Sequence, residues 1–381
     1  MDALRLCVTM LVLLHHTILA YCRYGHFDRA HYLWSSAPIV DPQRWIGFDI
    51  LQDFNDTYFM SLMFLVSGVF VLPSLRRKGA WRYARDRIRR LGLPFALCVT
   101  LIMPLAYYPS IRQTGLDLSP GQYWFGYFTR FGWPGGPAWF IWFLLALDLL
   151  GSALMRRWPT LPEKLAAVPD LIVAHPARCL LAFLAAAWAA YLPAWAIAGP
   201  DRWFSLGPFA VQESRVGLYT LFFITGAAAG VAGVHHPLFS RNGPLARHWT
   251  GCGLLAGTGF GLLLGLQLAS LHHLRLLPAP SWQAAAIALL FVLCCVSSSM
   301  ALTGLFLRLI EQGPRWMDSL VDNAYGIYLL HYVFLTWTQT ALLSRQWGAL
   351  PKAATVFMAV LLSSWALTAF LRRSRMARSV L

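Results

Sequence analysis

Histidine and arginine side chains stand inside the apolar segments of this 381-residue chain. The first apolar segment carries Arg5, His15 and His16, and a later one carries His331. Imidazole changes its protonation near neutral pH, so it can act as a base or as a nucleophile. A polar group in apolar surroundings is unfavourable unless it meets a partner or faces a cavity. These residues are therefore the first candidates for chemistry.

Asn55 and Asp56 immediately precede a second apolar segment, which begins at Thr57. A carboxylate beside an imidazole can hold that ring in the orientation a reaction requires, so Asp56 is a candidate positioning residue. A carboxylate at the start of a helix can equally serve as its N-cap. Both interpretations of Asp56 stay open at this point.

Arg87 and Arg90 belong to a basic cluster that extends from Arg76 to Arg90. Guanidinium groups bind phosphate oxygens in a bidentate manner, so the cluster suits a phosphate-bearing ligand such as a nucleotide or coenzyme A. Basic clusters of this kind also set membrane topology and contact anionic lipid. Charge alone does not separate these two roles.

Tyr325, Tyr328 and His331 lie together in a later apolar segment. Tyr328 and His331 are three residues apart, so they share one face of a helix. We expect this face, together with Asn55, to line a cavity that also contains His16. Hydrogen bonds that merely join neighbouring helices are the alternative explanation.

The composition excludes a soluble protein. Hydrophobic residues make up 58% of the chain and charged residues 12%, which is about half the usual charged share of a soluble domain. The net charge of +15 does not indicate a nucleic-acid partner, because Lys and Arg accumulate in the cytoplasmic loops of membrane proteins. The seven cysteines show no CxxC spacing, so neither a metal site nor a disulfide framework is predicted.

The apolar segments predict an all-α polytopic integral membrane protein with about ten transmembrane helices, because a span needs about 20 apolar residues. We assign residues 1–381 to one membrane domain in contact with lipid. Pro94 and Pro104 are expected to interrupt the third span. The predicted spans are Ala3–Tyr21, Thr57–Leu75, Leu91–Tyr108, Gly136–Leu154, Cys179–Ile197, Val216–Val234, Thr250–Leu271, Trp282–Leu307, Asn323–Leu343 and Ala353–Leu371.

The positive-inside rule predicts that both termini are cytoplasmic. This orientation places 21 of the 31 basic residues on the inner side. At 1.5 Å per residue, His16 then lies roughly 20 Å from the inner end of its helix and His331 about 12 Å from the inner end of its own. Adjacent helical residues point about 100° apart, so only one of His15 and His16 is expected to face a shared cavity.

With these residues in place, the chain resembles the acyltransferase 3 family of membrane O-acyltransferases. Five landmarks carry the resemblance, and together they cover nearly the whole chain. They are the ten residues enclosed by Arg5 and His16, the stretch Phe64-Leu65-Val66-Ser67-Gly68, the pair Arg87 and Arg90 ahead of Pro94, the stretch Trp139-Phe140-Ile141-Trp142, and the stretch Tyr325-Gly326-Ile327-Tyr328-Leu329-Leu330-His331.

Within that family the chain is most similar to the glucan biosynthesis protein C group. The similarity lies in the stretch from His16 to Tyr21 and in Phe54-Asn55-Asp56. The chain departs from the family at Pro137-Ala138, where many members carry a polar residue before the Trp-Phe pair. We therefore carry over no acceptor contact from that stretch.

The resemblance implies a multi-pass enzyme of the bacterial inner membrane. It would move an acyl group, with succinyl favoured and acetyl as the alternative, from cytoplasmic acyl-CoA to a hydroxyl of a periplasmic glucan or another envelope glycan. Acyl-CoA would be a substrate, and no bound cofactor is implied. Arg87 and Arg90 would bind the donor, whose thioester would reach His16 through a tunnel from the inside. His16 would act as the base or carry the acyl group, with Arg5 and Asp56 positioning it.

Two other functions remain compatible with these residues. A transporter could use His16, Asp56 and His331 as a proton or substrate relay. The chain shows no paired broken helices and no inverted repeat, which are the usual signs of a transporter. An assembly subunit of an envelope glycan machine, without chemistry of its own, is the third interpretation.

Overall fold

A computed structural model of the chain describes residues 1–273, 281–310 and 315–380, and these fold almost entirely into helices. The helices are α1 (Asp2–Leu19), α2 (Ile46–Val69), α3 (Val71–Lys78), α4 (Ala80–Arg87), α5 (Leu93–Leu97), α6 (Met103–Gln113), α7 (Pro120–Thr129), α8 (Trp139–Arg157), α9 (Leu161–Lys164), α10 (Val168–Ala174), α11 (Pro176–Ala198), α12 (Val216–Ala229), α13 (Pro244–Arg247), α14 (Trp249–His273), α15 (Ser281–Leu309), α16 (Arg315–Leu342), α17 (Ala349–Leu371) and α18 (Arg375–Arg378). Two antiparallel strands, β1 (Trp203–Leu206) and β2 (Phe209–Gln212), form a hairpin that the sequence did not predict.

The prediction of an all-α polytopic membrane protein is confirmed. Within the described ranges, eight helical stretches are long and apolar enough to cross a membrane. They are Asp2–Leu19, Ile46–Lys78, Ala80–Gln113, Gly136–Arg157, Pro176–Ala198, Trp249–Ala269, Trp282–Leu309 and Ala349–Leu371.

The other two predicted spans correspond to α12 and α16. Helix α12 has 14 residues, or roughly 21 Å, which is less than a bilayer core about 30 Å thick. Helix α16 has 28 residues, but polar side chains such as Asn323 and His331 lower its apolarity. Helix α12 packs against α2 and α11, and α16 packs against α1, α6 and α17. Helices covered by neighbours in this way need less length and apolarity than helices surrounded by lipid.

Helix α1 lies at the centre of the bundle, where it packs against α2, α16 and α17. Residues near both chain ends lie beside the basic cluster. The guanidinium of Arg89 donates to Ser379 Oγ at 2.7 Å, and Arg5 lies close enough to Arg87 for the two positive charges to interact. Both ends of the described chain therefore lie at the arginine-rich end of the molecule, and its cytoplasmic location stays a prediction.

The third span contains two π-helical turns, each of which precedes a proline. These turns cover Ile88–Gly92 and Cys98–Ile102, ahead of Pro94 and Pro104. Proline lacks an N–H and its ring crowds the carbonyl four residues earlier, so a wider turn relieves both conflicts. The predicted interruption of the third span is confirmed, and its first π turn contains Arg89 and Arg90 of the basic cluster.

Helix α2 begins at Ile46, eleven residues before the predicted start of this span at Thr57, so that start was wrong and Asn55 and Asp56 lie within the helix. The loop between α1 and α2 is held on the bundle by a buried ion pair, in which Lys352 Nζ donates to Asp41 Oδ2 at 2.7 Å. Asp41 N also donates to the Ala20 carbonyl at 2.9 Å. This loop therefore joins the ends of α1, α2 and α17.

Glycines bring α2 and α12 into close contact. A Cβ atom at Gly226 would collide with the Leu65 carbonyl, and one at Gly68 would collide with the Phe223 carbonyl. The two backbones can approach this closely only because no side chain separates them. The contact lies in the last turns of α2 and holds that end of the helix at a fixed distance from α12.

We predict that Gly226→Ala destabilises the protein by about 1–3 kcal/mol, because the new methyl group must push α2 and α12 apart. The matched control is Gly257→Ala in α14, where a Cβ atom meets nothing within 4 Å and helix propensity favours alanine. Thermal unfolding of the purified proteins in one detergent measures the difference. Equal unfolding temperatures for the two variants would contradict the role of this contact.

Candidate functional site

His16 of α1 and His331 of α16 lie side by side in the middle of the bundle. Their ring centroids are 5.2 Å apart, and the His16 ring also meets the Tyr332 ring at 5.3 Å. His331 is buried, with 1% of its surface exposed, whereas His16 is partly exposed. The structure thus brings together the two histidines that the sequence placed at similar depth.

Each of the two imidazoles is fixed by a carbonyl of its own helix. His16 Nδ1 lies 2.9 Å from the Val12 carbonyl, and His331 Nδ1 lies 2.6 Å from the Tyr328 carbonyl. A carbonyl oxygen only accepts hydrogen bonds, so each Nδ1 must carry a proton. In a neutral imidazole the lone pair then lies on Nε2. Nε2 of His331 is buried and has no hydrogen-bond partner among the described residues.

A narrow crevice runs beside His331 between α6, α8, α16 and the π turn Cys98–Ile102. Its walls include Cys98, Met103, Ile141 and Tyr328. The crevice is too narrow to hold a water molecule in this structure. Tyr328 closes one side of it, because its hydroxyl donates to the Pro137 carbonyl.

His15 faces away from this crevice. Its ring stacks on Phe59 of α2 at a centroid distance of 4.8 Å. Beside it, Asn55 Nδ2 donates to the Leu11 carbonyl at 3.2 Å and so joins α2 to α1. Of the two adjacent histidines, only His16 meets His331, and Asn55 acts as a link between helices.

Asp56 binds Arg215, and this contact changes its predicted role. Arg215 Nη2 lies 2.5 Å from Asp56 Oδ2, and Arg215 Nη1 donates to the Asp56 carbonyl at 3.0 Å. Because α2 begins at Ile46, Asp56 stands within the helix, and the N-cap interpretation was wrong. His16 Nδ1 donates to the Val12 carbonyl, so Asp56 does not supply the hydrogen bond that orients the His16 ring.

Arg5 also lies away from His16. The two residues are about 16 Å apart along α1. The Arg5 guanidinium meets Asp2 Oδ1 at 3.3 Å and covers the Phe70 ring at 4.0 Å. Its neighbouring cation is Arg87. The structure therefore groups Arg5 with the predicted donor-binding arginines and separates it from the imidazoles.

Arg87 and Arg90 present different environments. Arg87 Nε lies 3.5 Å from Asp148 Oδ2, and Tyr83 donates to the other Asp148 oxygen at 2.5 Å. Asp148 is buried, so this network holds one edge of the Arg87 guanidinium in place. The Arg90 side chain is exposed, and its backbone carbonyl accepts a hydrogen bond from the Tyr325 hydroxyl at 2.9 Å.

Tyr325 therefore links the basic cluster to the helix that carries His331. Six residues separate Tyr325 from His331, which is about 9 Å along α16. About 9 Å of α16 therefore separates Tyr325, which binds the Arg90 carbonyl, from the imidazole pair. Tyr325 marks the arginine end of this stretch, and Tyr328 lies in the crevice between the two ends.

Arg215 is the buried charged residue beside Asp56 that the sequence analysis did not single out. It stands one residue before the predicted sixth span, so it counted there as an ordinary loop charge. The structure buries it, with 8% of its side chain exposed, and places its guanidinium 4.8 Å from the Phe291 ring centre. The sequence did contain a signal for this pair: Arg215 directly precedes one apolar segment, and Asp56 directly precedes another.

The model of the acyltransferase 3 family, described as an acyltransferase domain, matches residues 1–369. Since the match covers nearly the whole chain, the chain belongs to this family, and it is a membrane acyltransferase. No curated protein and no solved structure matches the chain significantly. The family predicted from the motifs is confirmed, and the similarity to the glucan biosynthesis group stays a prediction.

We predict that Arg215→Met destabilises the protein by about 1.5–3 kcal/mol, because it removes the hydrogen bonds that a buried guanidinium makes to Asp56, whose side chain is 32% exposed. Arg202→Met is the matched control. Arg202 pairs with Glu213 at 3.1 Å, but 62% of its side chain is exposed, so its loss should cost about 0–1 kcal/mol. Urea unfolding of both purified variants gives the comparison, and equal losses would contradict the importance of burial.

Proposed function

We propose that this membrane acyltransferase moves an acyl group from acyl-CoA at its arginine-rich end to a hydroxyl of a glycan at the opposite end. The favoured donor is succinyl-CoA, with acetyl-CoA as the alternative. The favoured acceptor is a periplasmic glucan, or another envelope glycan. The favoured location is the bacterial inner membrane. These finer assignments rest on the resemblance to the glucan biosynthesis group.

The His16–His331 pair carries the proposal. Hydrogen bonds from both Nδ1 atoms leave the Nε2 lone pairs for chemistry. Acyl transfer from a thioester to a sugar hydroxyl needs a base for the hydroxyl proton or a nucleophile for the acyl carbon. An imidazole in this tautomer supplies either one.

Two routes use this lone pair. In the first, His16 Nε2 takes the hydroxyl proton while the sugar oxygen attacks the thioester carbonyl. The C–S bond breaks, and the imidazolium returns the proton to the sulfur of coenzyme A. In the second, Nε2 attacks the carbonyl and coenzyme A leaves as the thiolate. The sugar oxygen then displaces the imidazole, and His331 Nε2 passes the hydroxyl proton towards the thiolate. Both routes yield an ester and a free thiol.

The arginine-rich end supports donor binding there. Arg5 and Arg87 lie near each other, and Arg90 is exposed beside them. Several cations with only partial counter-charge attract the phosphates of coenzyme A. Succinyl-CoA adds one carboxylate, and the role we propose for Arg5 is to bind donor charge in this cluster. This role replaces the positioning of His16 that the family resemblance implied for Arg5.

The opposite end carries aromatic side chains suited to a sugar. The His31 and Trp34 rings stack with centroids 4.2 Å apart, and 73% of Trp34 is exposed. Trp45 is also exposed at the start of α2. Flat amphipathic rings of this kind pack against sugar faces while their polar atoms remain solvated. We propose this region as the approach for the glycan.

Transfer also requires the crevice to open. As it stands, the crevice cannot hold a water molecule, so it cannot hold the pantetheine arm. The link between Tyr328 and the Pro137 carbonyl is one contact that must break. In our proposal, donor binding at the arginines separates α16 from the start of α8.

One experiment tests this function against the transporter. Membranes containing the chain are supplied with succinyl-CoA or acetyl-CoA labelled in the acyl group, together with envelope glycans from cells that lack the gene. A transferase moves the label onto glycan, as mass spectrometry of the glycan detects. Label that remains in the thioester, or crosses the membrane unchanged, would instead favour a transporter.

We predict that His16→Phe lowers the rate of label transfer by at least about 100-fold, because phenyl has no lone pair. His15→Phe is the matched control, since a phenyl ring can keep the stack on Phe59. Both variants should unfold at temperatures close to that of the parent protein. Normal transfer by a folded His16→Phe protein would remove the proposed chemistry.

We predict that Arg90→Ala raises KM for acyl-CoA about tenfold, the effect of losing one charge-assisted hydrogen bond of roughly 1.5 kcal/mol. The value of kcat should change little, because Arg90 lies away from the imidazoles. Arg77→Ala removes an equally exposed arginine from α3 and is the control. If both variants shift KM alike, the cluster acts through general charge and not through a donor site.

A further inference from the structure

A second, much larger cavity lies near the arginine-rich end and is separate from the histidine pair. Its volume is about 340 Å³, which is in the range of sites that hold a small molecule. Seven described helices contribute to its walls, namely α2, α10, α11, α12, α13, α14 and α15. Deep in the cavity are Leu65, Val69 and Met300, and nearer the surface are Ala177 and Leu255.

The walls of this cavity are almost entirely apolar. Of its lining side chains, only His248 and two threonines carry polar groups other than sulfur. Water is unstable in such a cavity, because it finds too few hydrogen-bond partners there. An empty cavity would lose the dispersion contacts of its lining. Hydrocarbon is the occupant that matches these walls.

The cavity opens sideways towards lipid. Leu255 lines it and is 41% exposed, and the adjacent Leu254 is 72% exposed. On the other flank, Leu181 of α11 is 65% exposed. An opening bordered by exposed leucines on two membrane helices faces the acyl chains of the surrounding bilayer. The nearest hydrocarbon is therefore a phospholipid chain.

Basic side chains lie at the mouth. Arg247 brings a positive charge next to lining residues, and two exposed histidines, His248 in the lining and His175 beside it, can donate hydrogen bonds there. Helices α11 and α14 also begin at the mouth, and the positive ends of their helix dipoles add to the electrostatic potential there. The acid on the neighbouring α10, Asp170, is paired with His236 at 3.1 Å. This surface complements a negatively charged headgroup.

We propose that the cavity is a binding site for an anionic phospholipid, which inserts one acyl chain between α11 and α14 and sets its phosphate near His248 and Arg247. The lipid would fill the space between α2, α12 and α15 and so support the packing of α2. The site shares no lining residue with the crevice at His331, so it stands whether or not the proposed acyl transfer is correct.

Photocrosslinking of the full chain in lipid nanodiscs tests the site. The probes are phosphatidylglycerol and phosphatidylcholine, each with a diazirine in the middle of one acyl chain. Peptide mass spectrometry should find phosphatidylglycerol crosslinks on Leu65, Val69 and Met300, about fivefold more than for phosphatidylcholine, equivalent to about 1 kcal/mol. Crosslinks on exposed Leu181 and Leu254 should be similar for both lipids.

Variants distinguish the cavity from the general lipid shell. Ala229→Trp fills the cavity and Ala177→Trp obstructs its mouth, so either one should abolish the crosslinks on Leu65 and Val69. Ala186→Trp, on an exposed face of α11, should leave them unchanged and is the control. The double variant Arg247→Gln, His248→Gln should remove the preference for phosphatidylglycerol and keep the crosslinks themselves.

Three results would overturn the proposal. The first is the absence of crosslinks inside the cavity while the lipid shell is labelled. The second is equal labelling by the two lipids in the parent protein. The third is displacement of phosphatidylglycerol by micromolar palmitoyl-CoA, which would make the cavity a site for long-chain acyl-CoA. Persistence of the lipid preference in palmitoyl-CoA supports the phospholipid.

Discussion

The carbonyls of Val12 and Tyr328 determine what the centre of this bundle can do. Each carbonyl accepts a hydrogen bond from Nδ1 of a histidine one turn further along the helix. That bond fixes the ring and moves the lone pair to Nε2. Because the two rings lie 5.2 Å apart, both lone pairs belong to one small region. The crevice lies beside one of these rings, and the donor path and glycan approach that we propose both end at them.

Buried ion pairs hold the helices around this centre. Asp56 and Arg215 join α2 to the start of α12, and Asp41 and Lys352 join the loop after α1 to α17. A buried charge is destabilising unless an opposite charge lies beside it, so each residue of a buried ion pair needs its partner. The geometry of the pairs therefore constrains where α2 and α17 can sit beside α1. Their loss would loosen the bundle before it changed the imidazoles.

The two cavities have opposite characters because different residues line them. The crevice beside His331 is narrow and includes imidazole and phenol groups, which suits a reacting carbonyl that must be held closely. The larger cavity is apolar and open to lipid, which suits a flexible chain. Glycines bring α2 and α12 together at one edge of the larger cavity, which Leu65 and Gly226 both line. The space extends from this contact towards α11 and α14.

The sequence by itself determined the membrane class, the family and the residues suited to chemistry. The lengths of the apolar segments, the excess of arginine and the spacing of Arg5 and His16 can all be read from the sequence without knowledge of the fold. It also indicated that His16 and His331 lie at similar depth, because rise per residue is constant in a helix. It misjudged the start of α2, since Ile46 to Asp56 contains polar residues that neighbouring helices cover.

Only the tertiary structure decided the partners. Asp56 meets Arg215, Arg5 lies near Arg87, and Asp148 holds Arg87, although each pair is distant in the sequence. A single sequence states which side chains are polar but not which helix faces lie opposite each other. Those faces are set by the close packing of many apolar side chains and glycines, and the choice of partner for each buried charge follows from that packing.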